Sequence, residues 1–132
     1  MRVLALDYGS ARCGCAVSDP TGTIVTPLAH VEQPASKRGL ARLRKLALDY
    51  EAERVLVGLP LSLDGGDSEQ TRETRRFAAA LSERLAPNVD VELYDERYTT
   101  RIAQRMPGRH LASEDSRAAA HLLEGWLASR SR

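Results

Sequence analysis

The sequence contains little of what marks a secreted or membrane protein. Its 132 residues include only two cysteines, and aromatic residues make up 5% of the chain. No apolar run approaches the ~20 residues that a membrane-spanning helix needs. The first residues also lack the basic, apolar and small-residue pattern of a signal peptide. We therefore expect a protein that stays in the cytoplasm and has no membrane partner.

The two cysteines argue against both a disulfide and a zinc site. Cys13 and Cys15 lie two apart in a predicted strand. Their Cα atoms are then roughly 6.5–7 Å apart, which is at or beyond the limit for a disulfide. Two thiols without a second pair nearby also make a poor zinc site. We interpret both as small buried apolar residues, which is typical of a reducing compartment.

The charge is nearly balanced, so no global field draws this chain to nucleic acid. The formal net charge is +1. Basic residues do form two local clusters, which are Lys37, Arg38, Arg42, Arg44 and Lys45, and then Arg97, Arg101, Arg105, Arg109 and His110. Most such clusters are solvated helix faces. The clusters permit phosphate binding but do not prove it.

Length and patterning predict one α/β domain over residues 1–132, without repeats or linkers. Apolar runs predict strands over 2–8, 12–18, 23–29, 54–58 and 89–94. Apolar residues at helical spacing predict helices over 37–51, 68–85 and 114–128, with a short helix after residue 99. Asp67 and Gln70 are predicted to form the capping box of the second helix. This order predicts a mixed five-stranded sheet, with three antiparallel strands and then parallel strands, and helices on both faces.

Asp7 is the first candidate functional residue, because it ends a wholly apolar strand. A carboxylate in such a drying environment costs stability unless something pairs with it. A bound cation is the usual compensation, and cations held by carboxylates commonly serve phosphate chemistry. The alternative is a hairpin whose turn is capped by Asp7. This segment alone leaves both interpretations open.

Two further acids lie where elements begin or end. Glu96 follows the strand 89–94, at the kind of strand end where open α/β sheets bind ligands, although strand alternation leaves Asp95 as an alternative. An acid here also complements the dipole of a following helix. Asp115 shares a predicted helix face with Ala118, Ala119, Leu122 and Trp126. We therefore expect Asp115 to point at the sheet and its neighbour Glu114 to be solvated.

Four blocks of this sequence, taken together, resemble the signature of the YqgF/RuvX family. They are Asp7-Tyr8-Gly9 with Arg12 and Gly14, Val57-Gly58-Leu59-Pro60, Asp95-Glu96-Arg97-Tyr98-Thr99-Thr100, and Asp115 with Ala118-Ala119. The blocks follow one another in the family's order and span nearly the whole chain. That family belongs to the RNase H-like superfamily and is related to the RuvC Holliday junction resolvases.

The resemblance implies an RNase H-like fold and a metal-dependent nuclease. It makes Asp7, Glu96 and Asp115 the catalytic and metal-binding carboxylates, which would hold one or two Mg²⁺ or Mn²⁺ ions. Arg12, Arg97 and Thr99 become candidate substrate-binding residues, although either arginine could instead pair with a site carboxylate. Bacterial members are described as candidate nucleases for pre-16S ribosomal RNA, and earlier as candidate Holliday junction resolvases. RNA is therefore the favoured partner, and branched DNA is the alternative.

Other interpretations stay open. The connection between Glu96 and Asp115 is shorter than in the family, and Pro107-Gly108 must end any helix there, which puts the substrate-binding surface in doubt. RNase H-like domains also occur as non-catalytic nucleic-acid-binding modules. An aspartate-glycine hairpin further opens sugar kinases and actin-like ATPases, which need two such domains. The chain could be a monomer or a homodimer, but a junction resolvase should form a two-fold dimer.

Overall fold

The computed structural model describes residues 1–96 and 113–130. Its strands are β1 (Val3–Asp7), β2 (Arg12–Ser18), β3 (Val25–Glu32), β4 (Arg54–Leu59) and β5 (Asp90–Asp95), and its helices are α1 (Lys37–Asp49), α2 (Glu69–Leu85) and α3 (Glu114–Arg130). The five strands form one sheet in the order β3-β2-β1-β4-β5. β2 pairs antiparallel with β1 and β3, whereas β4 pairs parallel with β1 and β5. The predicted mixed α/β sheet is confirmed.

Helices cover both faces of this sheet because β1 is apolar on both sides. Leu4 and Leu6 pack into a core that also contains buried residues of α1 and α2. Val3 and Ala5 alternate with them and pack into a second core beneath α3. This alternation places the side chain of Asp7, the next residue in the series, on the α3 face. No helix in residues 1–96 or 113–130 has the length and apolar character to cross a membrane.

The cysteine interpretation agrees with the structure. Cys13 and Cys15 are both fully buried, and both are free thiols. They belong to the core beneath α1 and α2, together with Leu4 and Leu6. Both therefore act as small apolar residues in the packing of β2.

The third strand begins and ends later than the 23–29 predicted. The side chain of Asp19 accepts hydrogen bonds from the backbone N–H groups of Thr23 and Ile24, both at 2.8 Å. These bonds hold the residues before Val25 in a turn, so that pairing with β2 starts only at Val25. Because a side chain rather than the apolar pattern sets this boundary, alternation alone misplaced it.

The predicted cap of α2 is also wrong by one residue. The helix is capped by Ser68, whose Oγ accepts from the backbone N–H of Thr71 at 3.2 Å, while Thr71 Oγ1 accepts from the backbone N–H of Ser68. Asp67 instead forms an ion pair with Arg75 at 3.3 Å. Serine and aspartate are comparably good caps, so the sequence alone could not separate two adjacent candidates.

A polar cluster fixes the C-terminal half of α3 at the start of β4. Glu92 of β5 pairs with Arg54 and accepts a hydrogen bond from Trp126 Nε1 at 3.0 Å. The guanidinium of Arg130 lies 4.5 Å from the centre of the Trp126 ring. Arg54 begins β4, and Asp7 ends the parallel strand β1. The cluster therefore anchors α3 at the sheet edge opposite the one where Asp7 lies.

We expect Glu92→Ala to lower the free energy of unfolding by about 1–2 kcal/mol, because it leaves both Arg54 and the Trp126 N–H without their acceptor. Urea denaturation followed by Trp126 fluorescence measures this loss. Asp49→Ala removes an exposed ion pair with Lys45 and serves as the control, with an expected change below about 0.5 kcal/mol. Equal losses in the two variants would show that Glu92 does not anchor α3.

Candidate active site

Asp7 lies at the centre of the candidate site. It is the last residue of β1, where it pairs with Gly14 of β2, and its side chain is half-buried. Burial is the main cause that raises the pKa of the Asp7 carboxyl to about 7, and the negative charges of Glu96 and Asp115 add to it. The three predicted acids thus come close enough at this sheet edge for their charges to act on Asp7.

Glu96 reaches this edge because β4 has a glycine beside it. A Cβ atom on Gly58 would lie 2.9 Å from Glu96 Oε2 and 3.1 Å from Leu122 Cδ2. The missing side chain of Gly58 therefore makes room for both the carboxylate and α3. Burial, followed by the charge of Asp95, raises the pKa of Glu96. Of the two acids that the sequence left as alternatives, Glu96 is the one whose charge acts on Asp7.

Asp115 enters the site through close contact between α3 and β2. A Cβ atom on Gly14 would lie 1.9 Å from the carbonyl oxygen of Asp115, so the helix backbone rests directly on this glycine. The buried Ser116 Oγ accepts a hydrogen bond from the backbone N–H of Cys15 at 3.1 Å. Arg12 Nε donates to Asp115 Oδ2 at 2.9 Å. These contacts fix the first turn of α3 over the end of β2.

The predicted buried face of α3 requires a correction. Ala118 is exposed, and Asp115 lies at the flank of the buried face rather than on it. The residues of α3 that are buried are Ser116, Ala119, Ala120, Leu122, Leu123 and Trp126. The face is rotated because Ser116, a polar residue that the apolar pattern passes over, turns inward to bond β2. Glu114 is exposed, as predicted.

The arrangement fits a hard divalent cation in its chemistry. Its donors are carboxylate oxygens, which Mg²⁺ and Mn²⁺ prefer. Burial and mutual repulsion make the charged state of Asp7 costly, and a cation would offset that cost. Within residues 1–96 and 113–130, no three acidic, histidine or cysteine side chains are grouped closely enough to hold a metal ion. An ion here would therefore take further oxygen ligands from water or substrate.

Of the three residues predicted to bind substrate, the structure describes one. Arg12, predicted either to bind substrate or to pair with a site carboxylate, forms the ion pair with Asp115, and its side chain is 56% exposed. Arg97 and Thr99 lie outside the described residues. The sequence reasoning assigned no role to Gly14, Gly58 or Ser116. A glycine inside a strand commonly marks a close backbone approach, and that signal could have identified the two glycines.

Comparison with protein families identifies one match along nearly the whole chain. The RuvX family model, described as a Holliday junction resolvase, matches residues 1–129. A protein of Anaeromyxobacter dehalogenans (strain 2CP-C), named "Putative pre-16S rRNA nuclease", is 37% identical, and the match covers 98% of each chain. A protein of Thermobifida fusca (strain YX) with the same name is 46% identical over 76% of this chain, which spans only 62% of that relative.

Solved structures share the fold at low sequence identity. Thermus thermophilus RuvC in complex with a Holliday junction substrate superposes with a TM-score of 0.67 at 15% identity, covering 99% of this chain and 96% of that one. The Fowlpox virus resolvase bound to Holliday junction DNA gives a TM-score of 0.56 at 10% identity, covering both chains fully. The predicted RNase H-like fold is thereby confirmed.

Gly14→Ala tests the contact between α3 and β2. The added Cβ has no space beside the Asp115 carbonyl, so the first turn of α3 must move. We expect the free energy of unfolding, measured by urea denaturation, to fall by about 2–3 kcal/mol. Ser116→Ala, which removes the hydrogen bond without adding bulk, should cost about 1 kcal/mol. A Gly14→Ala protein as stable as the wild type would mean that the helix does not rest on this glycine.

Asp7→Asn should stabilise the protein in the presence of a chelator at pH 8. The folded-state pKa of Asp7 is raised from 3.8 to about 7, so the charge destabilises the fold above pH 7. This penalty grows as the pH rises from 3.8 to about 7, and it disappears below pH 3.8, where Asp7 becomes neutral in both states. We expect a gain of about 1–2 kcal/mol at pH 8 and a much smaller one at pH 4. Asp90→Asn, at the exposed start of β5, is the control, and a pH-independent Asp7→Asn effect would contradict the expectation.

Proposed function

Since the chain belongs to the RuvX family, we propose that it is a metal-dependent nuclease that hydrolyses phosphodiester bonds, with residues 1–132 forming a single nuclease domain. The observation that carries this proposal is the carboxyl of Asp7, whose pKa is raised to about 7 by burial first and then by the charges of Glu96 and Asp115. A largely buried carboxylate that is repelled by neighbouring carboxylates costs stability unless it binds positive charge. A metal-dependent function would account for the presence of these carboxylates despite their cost in stability.

Each of the three acids has a defined support. Asp7, between β2 and β4, is the central ligand, and Glu96 lies over Gly58 while Asp115 is held by Arg12. Together they would hold one or two Mg²⁺ or Mn²⁺ ions, which supply charge stabilisation at the phosphodiester and lower the pKa of bound water. The carboxylates then act as the catalytic residues of the chain.

Arg12 is proposed to bind a substrate phosphate. Its Nε donates to Asp115, and this bond orients the guanidinium while its terminal nitrogens form no further bond within the described residues. A guanidinium fixed in this way presents a planar pair of donors, which suits phosphate oxygens. Arg97 and Thr99 are proposed as additional substrate-binding residues on the resemblance of their motif alone.

RNA is the favoured substrate, and the cytoplasm is the proposed place of action. The relatives from Anaeromyxobacter and Thermobifida are both named for pre-16S rRNA. The family description favours the second candidate, a Holliday junction resolvase that cuts branched DNA. A resolvase cuts two strands symmetrically and therefore needs a two-fold dimer, whereas RNA processing does not. The molar mass in solution, measured by light scattering, separates the two: a monomer counts against the resolvase.

The proposed function is tested by cleavage of labelled precursor RNA and of four-way-junction DNA, each with Mg²⁺, Mn²⁺ or a chelator. We expect metal-dependent cleavage of the RNA, and Asp7→Asn should lower the rate at least about 100-fold, because it removes a ligand carboxylate. Asp90→Asn, at the opposite sheet edge, is the matched control and should cleave like the wild type. Binding of both substrates without cleavage would instead favour a non-catalytic module.

Metal binding also has a readout that does not depend on cleavage. Mg²⁺ or Mn²⁺ should raise the unfolding temperature of the wild type and of Asp90→Asn, because ligand binding to the folded state stabilises it. Asp7→Asn should show a much smaller rise. Equal shifts in all three proteins would place the ion away from Asp7 and contradict the assignment of this acid.

A further inference from the structure

Helix α1 carries a concentration of positive charge that the candidate active site does not use. Its 13 residues contain five basic residues and a single acid. The five basic side chains are all exposed and are Lys37, Arg38, Arg42, Arg44 and Lys45. Since the net charge of the whole chain is only +1, the remainder of the chain is net acidic. One of the two basic clusters of the sequence therefore lies on this helix.

Most of this charge has no acidic partner. Lys45 pairs with Asp49 at 2.7 Å, which is the one ion pair of α1 in the described part of the chain. Arg44 Nε donates to the carbonyl oxygen of Arg84, a contact that leaves its positive charge uncompensated. Arg38, at the start of the helix, has no ion pair with any described residue.

The neighbouring helix α2 shows what a neutralised set of arginines looks like. Arg72 and Arg76 both pair with Glu69, at 3.0 and 3.4 Å. Arg75 pairs with Asp67. Three of the four arginines of α2 pair with acids, whereas the five basic residues of α1 form one ion pair within the described residues. The excess on α1 is therefore more than the ordinary composition of a solvated helix in this chain.

Helix stability does not explain the charge on α1 either. Lys37 and Arg38 lie in its first turn, at the positive end of the helix dipole, and that turn contains no acid. Cations there are unfavourable by roughly 0.3–1 kcal/mol each. Both other helices have an acid in the first turn, Glu69 in α2 and Asp115 with Glu114 in α3. The cations of α1 are thus retained against a small cost to the fold.

The geometry of α1 suits the backbone of a double helix. Arg38, Arg42 and Lys45 lie at offsets of four and seven and so share one face, spanning about 10 Å along the helix axis. Proteins that bind single strands combine basic grooves with aromatic platforms for the bases. The α1 sequence from Lys37 to Asp49 contains no aromatic residue. Its chemistry is that of phosphate contact without base stacking.

The start of α1 lies near the edge of the sheet that carries the acids. The backbone N–H of Gln33, just before the helix, donates to the carbonyl oxygen of Ala11 at 2.9 Å. Ala11 belongs to the turn that follows Asp7 and joins β1 to β2. A nucleic acid bound at the acids can therefore continue past this turn onto α1.

We propose that the basic face of α1, formed by Arg38, Arg42 and Lys45, binds the phosphate backbone of a double-helical RNA segment that flanks the cleavage site. The choice of RNA and the link to cleavage rest on the proposed nuclease function. The binding of a duplex backbone rests only on the charge and geometry of α1.

The test compares two triple variants that lower the net charge equally. One is Arg38→Gln/Arg42→Gln/Lys45→Gln in α1, and the control is Arg72→Gln/Arg75→Gln/Arg76→Gln in α2. Fluorescence anisotropy with a labelled RNA duplex, in chelator and over a range of salt, measures Kd without cleavage. The α1 variant should bind about 10- to 100-fold more weakly, and its slope of log K against log salt should fall by about 3. The α2 control should stay within about threefold of the wild type.

Several outcomes would overturn the proposal. If the α1 variant binds the RNA duplex with wild-type affinity, the basic face of α1 does not bind RNA. Equal losses of affinity in both variants would mean that only the overall charge matters. Preference for single-stranded RNA, for duplex DNA or for anionic phosphatidylglycerol vesicles would contradict the assigned partner. Urea denaturation should find the α1 variant at least as stable as the wild type, so that a loss of binding does not reflect unfolding.

The failure of the nuclease function is distinguishable from the failure of this surface. Asp7→Asn should bind the RNA duplex like the wild type but fail to cleave. If no protein cleaves and the α1 effect persists, the surface is supported as part of a binding module. If cleavage of RNA occurs and the α1 variant binds and cleaves like the wild type, only the surface proposal is wrong.

Discussion

The contact between the first turn of α3 and β2 at Gly14 is the constraint on which the candidate site depends. Arg12 and Asp115 are 103 residues apart in sequence, and their 2.9 Å bond exists only because the helix backbone can rest on a residue without a side chain. Ser116 fixes the same turn through the N–H of Cys15. Without this close contact between α3 and β2, Asp115 would lie too far from Asp7 for its charge to raise the pKa of Asp7. The position of Asp115 near Asp7 therefore depends first on how the backbone of α3 packs against Gly14.

The two ends of α3 differ in the electrostatics of their contacts. At its C-terminal half, Trp126 bonds to Glu92, which in turn pairs with Arg54, so that opposite charges and a buried ring hold the helix. At its first turn, Asp115 adds negative charge to a site where the pKa of Asp7 is already raised by burial. Because these contacts fix the C-terminal half of α3, its first turn can hold Asp115 near Asp7 despite the repulsion between the two carboxylates. Local conflicts of this kind, which the rest of a fold offsets, are common at functional sites.

The sequence predicted the architecture well, because apolar periodicity determines which segments form strands and helices. It predicted boundaries poorly where side chains bond to the backbone. The bonds from Asp19 delayed β3, and Ser68 rather than Asp67 caps α2. For the site, the position of Asp7 at the end of an apolar strand predicted a carboxylate at the end of β1, but it left a bound cation and a turn cap as alternatives.

The position of Asp115 was harder to predict. Its proximity to the site depends on Gly14 and Ser116, residues whose role appears only when β2 and α3 are brought together. A helical wheel treats Ser116 as a polar position and rotates the inferred buried face towards Ala118, which is exposed. Long-range contacts of this kind are not encoded in the periodicity of either segment alone. The room that Gly58 leaves for the carboxylate of Glu96 in the neighbouring strand is likewise a contact between two separate segments.

Strand alternation also explains why the acids and the basic helix lie on opposite faces of the sheet. Asp7 follows Val3 and Ala5 towards α3, so the next residue, Tyr8, must point to the other face, where its ring stacks on Phe77 at 4.4 Å. A single strand end thus supplies a carboxylate to one face and a packing residue to the other. A nucleic acid that contacts both the acids and α1 has to cross this edge at the turn after Tyr8. That turn consists of Gly9, Ser10 and Ala11, none of which has a bulky side chain.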